Sequence, residues 1–198
     1  MGVAGAPPVI TLLGDSITAG LGLPAVDALP AQIAAALKAL KVSAQVRGAG
    51  VSGDTTADAL ARVDFSVQPD TRLCLVALGG NDLLQGIEPA VVKANLTAIL
   101  AHLKARRIAV VLAGMRAPKA IGSAYAREFD GVFPAVAKAG GAAFYPYLLE
   151  GVGGVSRLNQ ADGIHPNPAG VKIIAAHLAP VLAKGLARTL ILASAART

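Results

Sequence analysis

The chain has no tryptophan, a single cysteine, and aromatic residues at only 4% of its 198 positions. With so little ring surface to stack on bases, nucleic acid is not an expected partner, although the net charge is +6. The basic residues are also dispersed. Their densest group, "KARR" at 104–107, closes an expected helix, where cations meet the negative end of the macrodipole. Cys74 has no partner for an internal disulfide and lies in the apolar run "RLCLVAL", the setting of an inert buried thiol. There are three histidines, no His-Glu-x-x-His and no cysteine cluster, so no metal and no cofactor are expected.

Long apolar runs are scarce as well. None approaches the roughly 20 residues of a membrane span, and the stretch ending in "TLILASAART" is broken by Lys184 and Arg188. The start, "MGVAGAPP", lacks the charged beginning and apolar stretch of an export signal. If such a signal was removed earlier, the expected compartment is periplasmic or extracellular; otherwise it is cytoplasmic. Charged residues reach only 15% against 54% hydrophobic. That balance excludes a disordered chain and predicts one domain over residues 1–198 with a large core. Oligomeric state leaves no trace in the sequence.

What the chain does have is alternation. Strand-like runs at Val9–Leu13, Ala44–Arg47, Leu73–Leu78, Ile108–Ala113 and Ala142–Tyr145 are separated by longer helical patterns. These cover Val26–Leu40, Thr56–Val63, Pro89–Arg106, Ser123–Ala139 and Pro168–Ala187. Continuous hydrophobic strands suit a parallel sheet covered on both faces, so the repeat predicts a doubly wound α/β domain, a three-layer αβα sandwich. Ligands of such sheets bind beyond the carboxyl ends of the strands. The segments there are "GDSITAG", "GAGVSGDTT", "GGNDLLQG" and "GMRAPKAIG".

Each segment has a plain reading and a chemical one. Ser16 in "GDSIT" is either a turn residue or a nucleophile, and Thr18 breaks the Gly-x-Ser-x-Gly elbow of another hydrolase family. "GAGVSG" at 48–53 fits the Gly-x-Gly-x-x-Gly dinucleotide pattern, or is a glycine-rich turn between strand and helix. In "GGND", Asn81 offers an amide donor and Asp82 a cap for the helix that follows. In "DGIHPNPAG", Asn167 and Pro168 read as N-cap and first helical residue. Asp162 and His165 are left over. An aspartate three residues before a histidine in a turn can hold one imidazole nitrogen and turn the other outward, as a general base requires. His102 and His177 fall in helical patterns and read as surface residues. A hydroxyl, a base, an orienting acid and amide donors on one sheet edge meet the needs of acyl transfer.

In this order the four blocks resemble the GDSL, or SGNH, hydrolase family: "GDS", the glycine of "SGDT", "GGND" and "DGIHPN", spread over residues 14–166. The chain is similar in length and motifs to compact bacterial members of arylesterase and thioesterase/lysophospholipase type. The resemblance implies a flavodoxin-like fold with a five-stranded parallel sheet. It also implies Ser16 as nucleophile, His165 as base and acid, and Asp162 as its orienting group. The oxyanion hole would be the Ser16 N–H, the Gly53 N–H and the Asn81 amide, with Asp15 bracing the turn. The implied substrate is a small-molecule carboxylic ester, aryl or alkyl, with thioesters, lysophospholipids and acetylated carbohydrates as alternatives. Leu83, Leu84, Ile87, Met115, Ala117 and Ile121, in the loops flanking the site, are the expected apolar groove. Two rivals remain from other classes: a dinucleotide-binding protein using 48–53, and a silent module that keeps the fold.

Overall fold

The computed structural model describes residues 6–195; residues 1–5, part of the stretch read for an export signal, and residues 196–198 lie outside them. Five strands form one parallel sheet: β1 (Val9–Gly14), β2 (Gln45–Gly50), β3 (Thr71–Ala77), β4 (Ala109–Ala113) and β5 (Ala143–Tyr145). Their spatial order is β2-β1-β3-β4-β5, the flavodoxin-like doubly wound order. All six residues of β1 are buried, as a central strand covered on both faces requires, whereas the edge strand β2 has none.

Helices α2 (Leu29–Ala39) and α7 (Pro168–Ala195) pack together in one layer, with α7 lying against β3 and β4. In the other layer, α5 (Pro89–Ala105) packs between α3 (Thr56–Ser66) and α6 (Ser123–Gly140). Two short helices complete the set, α1 (Ser16–Ala19) and α4 (Gly80–Leu84), each directly after a strand and too short to show periodicity in sequence.

Several boundaries differ from expectation. The helix expected over Val26–Leu40 begins only at Leu29, after a 3₁₀ turn at Ala25–Asp27, which places Pro30 in the first turn, where its missing N–H costs no hydrogen bond. The second strand runs on to Gly50, so Gly48 and Gly50 are strand residues and do not form the turn. A Cβ on Gly50 would meet the Ala19 nitrogen at 2.4 Å, so the glycine is what lets α1 sit against β2. The last helix continues to Ala195. Of its length, Pro168–Ile191 is long and apolar enough to cross a bilayer by length and composition, contrary to the sequence expectation. It is nevertheless a core element here: Ile174, Leu178 and Leu182 are fully buried, in contact with α2 and the sheet.

Candidate active site

Ser16 is the first residue of α1, immediately beyond the carboxyl end of the central strand β1. Asp15 caps that helix: its Oδ1 accepts from the Ile17 N–H at 3.0 Å, and Gly20 ends the single turn in the left-handed conformation. The carboxylate is almost wholly buried, at 2% exposure. Burial pushes its pKa up to about 6, although the Ile17 N–H and the nearby His165 pull the other way. Asp15 therefore braces the turn beneath the serine.

His165 reaches the same point from the far end of the chain. Its loop is held by a backbone bond from Gln160 N–H to the His165 carbonyl (2.7 Å), and by Asn167, whose Oδ1 caps α7 at Ala169 and Gly170. The Asp162 carboxylate accepts from the Ile164 and His165 N–H groups through Oδ1, at 2.9 and 3.0 Å. Through Oδ2 it contacts His165 Nδ1 at 2.6 Å. The imidazole contact and these two N–H groups hold the Asp162 pKa down to about 2. An ionised carboxylate only accepts, so Nδ1 carries a proton and Nε2 is the nitrogen left to accept one. His165 Nε2 lies 2.9 Å from Ser16 Oγ. The serine hydroxyl thus has a base aimed at it.

Asn81 lies in α4, beside the same cleft. Its Nδ2 donates one hydrogen to the Asp54 carbonyl at 2.8 Å. That partner is an acceptor, so it fixes which end of the amide is the NH₂ and leaves the second hydrogen unclaimed by this bond. Asp82 does not cap the helix that follows; α5 starts at Pro89 without it. Fully buried, it accepts from the Thr56 N–H at 2.9 Å and the Thr56 hydroxyl at 2.5 Å, capping α3 across the sheet edge. "GGND" is therefore tied twice to "GDTT". Gly53, one residue before Asp54, has φ +89°, a conformation that suits glycine. Among the described residues, neither its N–H nor that of Ser16 has a protein acceptor.

A cleft of about 250 Å³ opens over Ser16, Asn81 and His165. Leu83, Leu84 and Met115 line it, as expected. Ile87, Ala117 and Ile121 do not. The Ala117 N–H is fastened to Asp130 Oδ1 at 2.8 Å and its side chain is buried; Ile87 packs against the core, and Ile121 is exposed on a 3₁₀ turn. The sequence reading missed Ile17, Leu149 and Ile164 in the lining, and the polar pair Arg116 and Tyr147, whose guanidinium lies 5.0 Å from the ring centroid. Tyr147 and Leu149 follow β5, a strand end the sequence reading had not included among the site loops. Among the described residues, no group of three or more His, Cys, Asp or Glu side chains is arranged to hold a metal ion. The glycine pattern at 48–53 has two of its three glycines inside β2, away from the turn where a pyrophosphate would sit.

Comparison with known proteins agrees with this geometry. Residues 12–173 match the GDSL-like Lipase/Acylhydrolase family. Esterase TesA of Pseudomonas aeruginosa is 38% identical over 162 residues, 81% of each chain. The thioesterase 1/protease 1/lysophospholipase L1 of Escherichia coli is 34% identical over 165 residues, 83% of this chain and 78% of that one. The crystal structure of AlinE4, an SGNH-hydrolase family esterase, superimposes with a TM-score of 0.77 at 42% identity, covering 93% of this chain and 99% of that one. By sequence and by fold, the chain belongs to the GDSL-like lipase/acylhydrolase family and is an SGNH-type ester hydrolase.

Proposed function

We propose that the protein hydrolyses carboxylic esters through an acyl-serine intermediate on Ser16, with His165 as base and acid and Asp162 as the group that orients it. The observation that carries this reading is the 2.9 Å contact between His165 Nε2 and Ser16 Oγ, set in a chain of hydrogen bonds that ends on an ionised carboxylate. Ser16 Oγ attacks the acyl carbon while its proton passes to Nε2. The oxygen that becomes negative is stabilised by the Ser16 and Gly53 N–H groups and the Asn81 amide. The ester C–O bond then breaks, and the imidazolium returns its proton to the leaving alkoxide. Water, deprotonated by the same nitrogen, releases the acid and restores the serine. Asp162 keeps the imidazole in one tautomer and stabilises its charged form.

The apolar lining supports an acyl chain in the cleft, with Leu83, Leu84 and Met115 as contacts. A cleft of about 250 Å³ falls just below the roughly 300–1,000 Å³ of typical ligand sites, which favours short acyl groups over long ones. Turnover of p-nitrophenyl esters from acetate to palmitate, with an acyl-CoA and a lysophospholipid alongside, tests this. Peak kcat/KM on short acyl esters is expected; a peak at palmitate contradicts the assignment of the cleft as a short acyl site.

A further inference from the structure

Arg62 stands outside the cleft, on α3, yet it touches the strand end that leads to Ser16, the end of β2 before Gly53, and Asp54, the residue whose carbonyl anchors Asn81. Its Nε donates to Asp54 Oδ2 at 2.6 Å. Nη1 donates to the Ala49 carbonyl and to Ser66 Oγ, both at 2.9 Å, and Nη2 to the Gly14 carbonyl at 3.0 Å. Gly14 is the last residue of β1, two before Ser16; Ala49 lies at the end of β2; and the Asp54 backbone carbonyl is the anchor of Asn81. Arg62 and Asp54 side chains are 19% and 11% exposed, so the pair is shielded enough for these charge-assisted bonds to hold their geometry.

A surface ion pair that served stability alone would have no need of two strand-end carbonyls. We infer that Arg62 is the positioning residue of the oxyanion hole, acting through Asp54 to fix Asn81. The inference rests on the reading of Asn81 given above. The guanidinium is suited to this by its planar fork, which bonds in three directions at once, whereas a lysine ammonium is a flexible point charge. Displacement of a transition-state donor by about 1 Å is enough to cost on the order of 10²-fold in rate. Loosening Asp54 would let Asn81 move on that scale while leaving the apolar cleft, and so ground-state binding, in place.

The test is a kinetic cycle of wild type, Arg62→Ala, Asn81→Ala and the double variant, with kcat and KM on a p-nitrophenyl ester and a thermal midpoint for each. Arg62→Ala is expected to lower kcat by about tenfold or more with little change in KM. Arg62→Lys should restore only part of the loss, and free guanidinium should restore part of it to Arg62→Ala. In the Asn81→Ala background the Arg62→Ala change should cost less than about threefold, because the donor it positions is gone. Losses that multiply in the double variant, or a folded Arg62→Ala with wild-type kcat, overturn the inference. Should Arg62→Ala fail to fold, Asp54→Asn takes its place in the cycle, since it weakens the ion pair and keeps the carbonyl that holds Asn81. An Asn81→Ala variant with normal kcat is a distinct failure: it removes Asn81 from the oxyanion hole, whatever Arg62 does.

Discussion

Asp82 and Thr56 are bonded twice, carboxylate to backbone N–H and carboxylate to hydroxyl, across 26 residues of sequence and with no solvent on the acid. Asn95 Nδ2 adds a third bond, to the Thr56 hydroxyl at 3.0 Å. This knot joins the segment that carries Asn81 to the start of α3. Replacing Asp82 by Ala removes the acceptor of a helix N-terminus and leaves Thr56 unsatisfied, which should cost about 2–4 kcal/mol. Urea unfolding checks it, read as a lower midpoint at unchanged slope. An unchanged midpoint would mean that the knot contributes little.

Asn81→Ala should still fold, with a thermal midpoint lowered only modestly by the loss of its bond to the Asp54 carbonyl, and lose about 10²–10³ in kcat, the usual effect of removing one side-chain oxyanion donor. KM should change little, because the donor acts on charge that develops only in the transition state. Steady-state kinetics on one ester decides between this and a purely structural amide.

Thr18 gives a prediction in the other direction. Its hydroxyl, in the same helical turn as Ser16, is buried without a hydrogen-bond partner among the described residues. Thr18→Val keeps the shape and removes the unpaired polar group, so it should stabilise the protein by about 1 kcal/mol or more. A lower thermal midpoint for this variant would indicate that the hydroxyl has an unrecognised partner.

Asp15 sets a pH dependence of stability. Its pKa rises from 3.8 to about 6 on folding, because burial disfavours the charged form. Between these two values the folded state holds a proton that the unfolded state has released. Stability from this group is therefore highest below 3.8, falls as pH rises toward 6, and stays reduced above that. The full effect is on the order of 3 kcal/mol. Asp15→Asn keeps the acceptor for Ile17 and should flatten that slope. Unfolding free energies of both proteins across this window, compared at equal ionic strength, check it; parallel curves would contradict it.

The parts legible in sequence were those with a local signature. Central strands β1 and β3 are continuous apolar runs, and the parallel order followed from their alternation with helices. Ser16, Asp162 and His165 stood out because turn chemistry left the last two unexplained, and the structure brings all three within hydrogen-bonding distance in sequence Asp162, His165, Ser16. The roles of Arg62 and Asp82 were not legible. Asp82 meets Thr56 26 residues away, and Arg62 gathers partners from 8 residues away (Asp54) to 48 (Gly14); helical position alone does not reveal what a side chain meets at a sheet edge. The lining of the cleft was half legible for a similar reason. Leu83 and Leu84 follow from their place after β3, but the direction of Ala117 is decided by the bond from its N–H to Asp130, on another element.

The proposed mechanism turns on Ser16 as the nucleophile. The most direct measurement is p-nitrophenyl acetate turnover by wild type and Ser16→Ala, together with the intact mass of each after a phosphonate ester inhibitor. Wild type should carry one phosphonyl group, located on the Ser16 peptide, and the variant none, with a kcat for the variant lower by at least about 10⁴. A variant that still turns over the ester at a comparable rate, or phosphonylation at another residue, would contradict it.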